Sequence, residues 1–376
     1  MEQEQTFAPL PCDLAEDHVS TFPERFARHA SIPGFDQEKL QAATVVVVGL
    51  GAVGSVVALE LALVGVGRLL LCDPDRVAPS NLSRGPLFRP SDVGVLKVDC
   101  AARRLTEIAP GIVIEARPKP FLAGVGLAEL RDADLVLGCL DSRAARVSLA
   151  GRLGLVRARS IDGATSAWSG EVRPFLDPDG PCYACALSPA ERAVTDAPWS
   201  CMDARVPEPQ AASAPIAALV GAWMSALALR FLLGESLSQN AIVVDVVRGV
   251  AEPLVWPRAS DCPLHAPILP SSVKRISISA SATVAELLAA LGPNCRPLAW
   301  GAVLCRLECP RGDHQELAYG ETTSRPCPRC GTLLRARTSI ELDTAPEAAV
   351  LSDLGVAPRE ILAVRAQGGL TYVELA

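Results

Sequence analysis

The clearest pattern of hydrophobic and polar positions begins at Thr44. Val45–Val48 is a run of four β-branched apolar residues, which predicts a strand buried on both faces. A glycine turn follows, with Gly49, Gly51 and Gly54 spaced as G-x-G-x-x-G, and the apolar run Val53–Val64 is long enough for a helix. Gly65 and Gly67 stop that helix. Arg68–Cys72 then predicts a second buried strand, ending at Asp73, 19 residues after Gly54. Such a βαβ unit holds a nucleotide. The glycines let the backbone approach a phosphate, the helix N-terminus offers unpaired N–H groups, and the terminal acid takes a ribose hydroxyl. On these positions alone the nucleotide is not specified, and an NAD-dependent dehydrogenase is one reading.

The pattern continues with a helix that begins at Gly94-Val-Leu-Lys97 and runs to Ala109, and strands over Ile112–Arg117 and Ala133–Leu140, the latter ending at Asp141. Arg159–Leu176 reads as strand, turn and strand crossing toward the back of the sheet. A long buried helix follows at Ala214–Leu233, then a late strand at Ile242–Val247. Strands and helices in this alternation predict an α/β fold with a Rossmann-like, mostly parallel sheet. From about residue 271 the composition changes. Strand patterns at 276–281, 339–343, 361–366 and 370–375, with helical ones at Val284–Leu291 and 347–355, predict a small α+β domain. The expected division is an N-terminal arm over 1–23, a nucleotide domain over 24–270 and a C-terminal domain over 271–376.

Composition narrows the function. Hydrophobic residues at 49% and charged residues at 20% describe a globular chain. A net charge of −7 gives no basic surface for nucleic acid or anionic membrane. No charged-then-apolar leader opens the chain, so the expected location is cytoplasmic. The apolar run Ala214–Leu229 is short for a membrane span. Thirteen cysteines without such a leader point to metal rather than disulfides. Cys182-x-x-Cys185 lacks the opening helix of a redox motif. Cys305-x-x-x-Cys309 and, 18 residues later, Cys327-Pro-Arg-Cys330-Gly have zinc-ribbon spacing. The acidic balance and sparse aromatics favour a protein-docking role for that ribbon.

The stretch from Asp73 to Arg84 decides between nucleotides. Asp73-Pro-Asp75-Arg-Val77-Ala-Pro-Ser80-Asn81-Leu82-Ser83-Arg84 resembles the D-x-D-x-V-x-x-S-N-L-x-R signature of the ThiF/MoeB/HesA family. These are ubiquitin-activating-type adenylyltransferases that bind ATP on a Rossmann-like sheet. Residues 24–35 are similar to the family's opening R-Y-x-R-Q-…-G-F segment. Arg28 matches its second arginine, which reaches into the ATP site of the other subunit of a dimer, and His29 stands where Gln is usual. Lys97 matches the phosphate-contacting lysine. Asp141-Ser142-x-x-x-Arg146 resembles D-N-x-x-x-R, whose acid holds Mg²⁺ against the ATP phosphates. Gly85 and Ser142 depart from the family's Gln and Asn.

The resemblance also implies a zinc knuckle in which Cys182 and Cys185 are closed by Cys262 and His265, with His265 in place of a cysteine. A second zinc ion would sit in the ribbon. Residues 186–213 correspond to the crossover loop, in which Cys201 is the only cysteine; it is either the candidate to receive the activated acyl group or to relay sulfur, or an incidental loop cysteine. The resemblance covers residues 24–265. It implies ATP-dependent adenylation of the C-terminal carboxylate of a ubiquitin-like or ThiS/MoaD-like sulfur-carrier protein, by a homodimer that hands the carrier to a downstream conjugating enzyme. Gly49, Gly51, Gly54, Asp73, Asn81, Arg84 and Lys97 would hold the nucleotide, and Arg28, Arg84, Lys97 and Asp141 would carry the chemistry. The alternatives are the dehydrogenase, a non-catalytic ThiF-like scaffold subunit, and the tRNA-modifying dehydratase branch, whose members lack the zinc cysteines.

Overall fold

The computed structural model describes residues 24–192, 213–317 and 325–376, apart from the side chains at 302, 304 and 305. After two single 3-10 turns, α1 (Gln37–Ala42) leads into β1 (Thr44–Val48), α2 (Ala52–Val64) and β2 (Arg68–Cys72). Then come α3 (Lys97–Ile108), β3 (Val113–Arg117), α4 (Phe121–Gly124), α5 (Leu127–Asp132), β4 (Leu135–Gly138) and α6 (Arg143–Val156). The hairpin β5 (Ser160–Thr165) and β6 (Ser169–Phe175), α7 (Pro189–Arg192), α8 (Ala214–Leu232) and the hairpin β7 (Ala241–Asp245) and β8 (Val250–Leu254) complete the first half.

Their eight strands form one sheet in the order β3-β2-β1-β4-β5-β6-β7-β8. The first five are parallel and the last three antiparallel. The chain winds outward from β1 in one direction and from β4 in the other. The crevice between their carboxyl ends is therefore the topological switch point, where ligands of open α/β sheets bind. The expected crossing at Arg159–Leu176 is instead a continuation of the same sheet. β5 ladders parallel on β4, and the Ser166–Ser169 turn returns β6 beside it.

Both faces of this sheet are covered. Val45, Val47, Leu69, Leu71 and Leu137 pack on one face with Val57 and Leu61 of α2 and Ile216, Val220 and Met224 of α8. By length and composition α8 could cross a membrane, but its apolar side lies on the sheet. The fit is close: a Cβ on Gly163 would meet Met224 Sδ at 2.2 Å, and one on Gly221 would meet Val56 at 2.6 Å. On the other face Val46, Val48, Leu70 and Val136 pack with Leu127 and Leu130 of α5, Leu149 and Leu153 of α6, and Ile361, Trp300 and Tyr372 from the C-terminal half.

That half is built on β9 (Val273–Arg275), α9 (Val284–Leu291), β10 (Arg296–Glu308), β11 (Gln315–Leu317), β12 (Arg335–Glu341), β13 (Ile361–Ala366) and β14 (Gly369–Glu374). Its sheet runs β11-β10-β13-β14-β9, with β12 also on β10. Two expectations fail here. The strand expected at 276–281 is displaced to Val273–Arg275, which pairs in parallel with β14; beyond it Ile276 N–H reaches Glu374 O at 3.0 Å and Ile278 O accepts from Ala376 N–H at 2.8 Å. Residues 347–355 form successive turns, because Val284 and Ala285 donate to Ala349 and Glu347 carbonyls and pull the segment onto the N-terminus of α9. Leu351, Leu354 and Val356 are buried there.

Candidate active site and cysteine clusters

The glycine turn lies at the switch point. Gly49 has φ +92°, and a Cβ there would meet Cys139 O at 2.5 Å, since the ends of β1 and β4 are laddered through Cys139 N to Val48 O. A Cβ on Gly54 would meet Gly49 O at 1.9 Å, so the first turn of α2 sits against the loop. Gly51 differs from both. It caps α2, and among the described residues nothing lies within 4 Å of where its Cβ would be. Two glycines compact the turn, and the third leaves the helix N-terminus open to an anion.

Asp73 ties this turn to the end of β2. Its Oδ2 accepts from Leu50 N–H at 2.6 Å and its Oδ1 from Asp75 N–H at 2.8 Å. Lys97 Nζ, 6% exposed at the start of α3, lies 2.7 Å from Asp75 Oδ2 and 3.5 Å from Asp73 Oδ1. Burial pushes the Asp73 carboxyl up, and Lys97 opposes that shift. Each Asp73 oxygen keeps a lone pair beyond these bonds, which leaves it able to accept from a ribose hydroxyl. Asn81 closes a 3-10 turn by accepting from Ala78 N–H at 2.8 Å, and Arg84 on the same turn donates to Ser80 O at 3.0 Å. Gly85 is explained by packing: a Cβ there would meet the Phe88 ring at 2.5 Å.

Asp141 follows β4 on the opposite lip of the crevice. It is exposed and has no ion pair among the described residues. Ser142 caps α6 by accepting from Ala145 N–H at 3.1 Å. Behind Asp141 lies a charged group of which the sequence pattern pointed to Arg146 but not to its partners Asp162 and Arg173. Arg146 donates to Leu140 O, to Gly163 O and to Asp162 Oδ1, and Arg173 donates to Asp162 Oδ2 at 2.6 Å. Arg146, Asp162 and Arg173 are each under 10% exposed. This charged triad holds the end of β4 against β5 and so fixes where Asp141 stands. A charge in the middle of each of two apolar strands was the available signal.

Arg28 lies apart from these groups in chain and element, exposed and without an ion pair among the described residues. His29 beside it packs between Phe26 and Phe35, at 5.5 and 4.4 Å between ring centroids, and its Nδ1 contacts Gln37 at 3.0 Å. Cys201 lies outside the described residues.

The four knuckle residues come together across 80 positions of sequence. Cys182 Sγ is 3.8 Å from Cys185 Sγ and 3.7 Å from Cys262 Sγ, and Cys185 Sγ is 3.1 Å from His265 Nε2. All four ligand atoms lie within 4.8 Å of one another. Burial and the neighbouring sulfurs of Cys185 and Cys262 raise the Cys182 thiol, and burial together with Arg258 lowers the His265 imidazole. Closely packed thiols and a neutral imidazole fit a tetrahedral zinc ion. In the C-terminal half, Cys309, Cys327 and Cys330 make a second cluster of sulfurs within 4.8 Å. The Cys305 side chain lies outside the described residues. Burial pushes Cys72 and Cys139 up to about 12, which makes both poor nucleophiles.

Comparison with known proteins agrees with this geometry. The chain is 33% identical over 253 residues to the sulfur carrier protein adenylyltransferase of Thermus thermophilus, covering 64% of this chain and 90% of that one. It is 34% identical over 228 residues to the molybdopterin-synthase adenylyltransferase of Escherichia coli, covering 58% and 86%. A crystal structure of E. coli MccB with ATP has the same fold, with a TM-score of 0.55 and 21% identity over 66% of this chain and 75% of that one. Residues 24–263 match the sequence model of the ThiF family, and the chain belongs to that family.

Proposed function

We propose that this chain adenylates the C-terminal carboxylate of a small ubiquitin-like or sulfur-carrier protein, working as a homodimer in the cytoplasm. The observation that carries the reading is the pairing of two lips at the switch point. One holds the Gly51 turn with buried Lys97 on Asp73 and Asp75; the other presents exposed Asp141, without an ion pair among the described residues. A carboxylate oxygen of the carrier attacks the α-phosphorus of ATP, the bond from that phosphorus to the bridging oxygen breaks, and pyrophosphate leaves. The barrier is dominated by charge on the phosphates, so placed cations matter more than a general base.

Lys97 is oriented by its two aspartates toward the turn, Arg84 adds a second cation, and Arg28 of each subunit would serve the other's site. Asp73 and Asn81 would hold the ribose and the loop around it. Asp141 would hold Mg²⁺, an ion that takes one or two carboxylates and keeps water. That ion would neutralise charge on the phosphates. In a second step the Cys201 thiolate attacks the acyl carbon and AMP leaves, ahead of transfer to a conjugating enzyme. Zinc in the knuckle would brace the sheet near this site.

The relatives' activities weigh against the dehydrogenase, and the retained Lys97, Arg84, Asp73 and Asp141 weigh against a scaffold without chemistry. The test is carrier-dependent exchange of labelled pyrophosphate into ATP. Lys97→Ala and Asp141→Ala should each lower the rate by roughly 10²–10³-fold. Exchange that is undiminished in both variants would remove this crevice as the site.

A further inference from the structure

Two loops of the C-terminal half are closed in the same way. Cys309 N–H donates to His314 O at 2.8 Å, and Cys327 N–H donates to Thr332 O at 2.8 Å. Their sequences are Cys309-Pro-Arg-Gly312-Asp-His314 and Cys327-Pro-Arg-Cys330-Gly-Thr332. Counted from either end, Gly312 takes the place that Cys330 has in the other loop. The paired loops of a zinc ribbon supply four ligands; these supply Cys309, Cys327 and Cys330, with Cys309 and Cys330 sulfurs 3.4 Å apart.

Nothing else among the described groups of the chain makes up the number. Cys305 lies in β10, which ladders on β12 through Glu308. An extended step of four residues to Cys309 spans roughly 13 Å, whereas two sulfurs on one zinc ion lie roughly 4 Å apart. The His314 ring is engaged elsewhere, with Nε2 at 3.4 Å from Glu316. The side of the cluster at Gly312 faces solvent. Gly312 is exposed and among the described residues nothing lies within 4 Å of where its Cβ would be, and Cys330 is partly exposed while Cys309 and Cys327 are 5% and 3% exposed. The third residue of each loop, Arg311 and Arg329, is exposed and positive.

We propose that Cys309, Cys327 and Cys330 form a three-thiolate zinc site whose fourth ligand is an exogenous thiolate that enters from solvent over Gly312. Three thiolates select a thiophilic ion, and the two arginines favour an anionic donor. The entering thiol replaces a water molecule on the metal and gives its proton to solvent. No electrons are transferred.

The experiment uses the full chain loaded with cobalt(II) and titrated with 2-mercaptoethanol. The sulfur-to-cobalt charge-transfer absorption should rise and saturate at one thiol per chain. Cys305→Ala and His314→Ala should give the wild-type spectrum and the same titration, while Cys327→Ala should lose the thiol response. The four-ligand knuckle supplies a constant background. A wild-type spectrum that does not move with thiol overturns the proposal. So does a Cys305→Ala or His314→Ala spectrum that is altered before thiol is added, because the fourth ligand then belongs to the chain. Uptake of a single cobalt ion per chain, unchanged by Cys327→Ala, overturns it too.

Discussion

The two cysteine clusters use the same ligand chemistry but are held in opposite ways. The knuckle joins two distant pairs and is bound to the large sheet. Trp256 Nε1–H donates to Cys182 O at 3.0 Å, and the Arg173 guanidinium lies 5.4 and 5.2 Å from the Tyr183 and Trp256 rings. Arg192 spans from Ala184 O to Asp261. The ribbon cluster joins local turns at the end of β10 and, among the described residues, has Leu307 and Leu334 as its buried apolar partners. A cluster tied into a large sheet shares its stability, whereas one on a hairpin can exchange a ligand without disturbing the rest. The same contrast separates the two halves. The first buries Asp73 with Lys97 and Asp162 with two arginines among its own elements. Of two buried carboxylates of the second half, Glu360 pairs with Arg152 of the first, and Glu374 pairs with Arg131 of the first as well as with Arg275 and Arg359 of its own half.

The largest effect should come from breaking the knuckle. Cys185→Ala should release one zinc equivalent and lower unfolding stability by more than about 4 kcal/mol. Cys330→Ala should release the other equivalent with little change in the main unfolding transition. Elemental analysis and calorimetry on both variants check this; equal destabilisation by the two would erase the contrast.

Next comes the contact between the halves. Glu360 is 2% exposed, accepts from Leu127 N–H at 3.1 Å and pairs with Arg152 Nη2 at 2.8 Å. Glu360→Ala strands a buried guanidinium, whose Nε and Nη1 already lack partners among the described residues, and should cost about 3–5 kcal/mol. Urea unfolding measures the loss, and protease cleavage between residues 255 and 272 should accelerate. A transition as steep and as late as wild type would show that the halves are held by apolar contact alone.

The smallest effect concerns acid. Arg131 beside Glu374 holds its carboxyl below the ordinary 4.5. The pair's contribution is therefore complete above pH 4.5 and is lost as pH falls through the lower folded value. Glu360 runs the other way, because burial raises it. Its ionised form is already costly, so protonating it offsets part of the acid loss. Glu374→Gln should flatten the fall in stability below pH 4.5 measured by denaturant titration. An unchanged slope would assign the acid sensitivity to other carboxylates.

Much of the first half was legible because its signals are local. The run Val45–Val48, the glycines at 49, 51 and 54 and the acid at 73 lie on one continuous βαβ unit, where periodicity 2 and 3.6 and the need for close backbone approach leave few alternatives. The helix α6 was missed because Gly151 and Gly154 interrupt its apolar pattern; its backbone needs the second, since a Cβ on Gly154 would meet Leu264 O at 2.1 Å. The strand β10 was missed because Pro297 and Gly301 read as breakers, although it ladders on three other strands.

The sequence alone thus determined which residues carry charge and sulfur, the first four strands of the nucleotide sheet, and the family signature from Asp73 to Arg84. Only the tertiary structure decided how they meet. It placed Asp162 and Arg173 behind Asp141, turned the second hairpin into sheet edge, sealed the far face of the sheet with Ile361, Trp300 and Tyr372, and set Gly312 opposite Cys330. Those outcomes depend on contacts between residues far apart in the chain, whose free energy comes from burial and from the pairing of buried charges, and neither is written in any local run of residues.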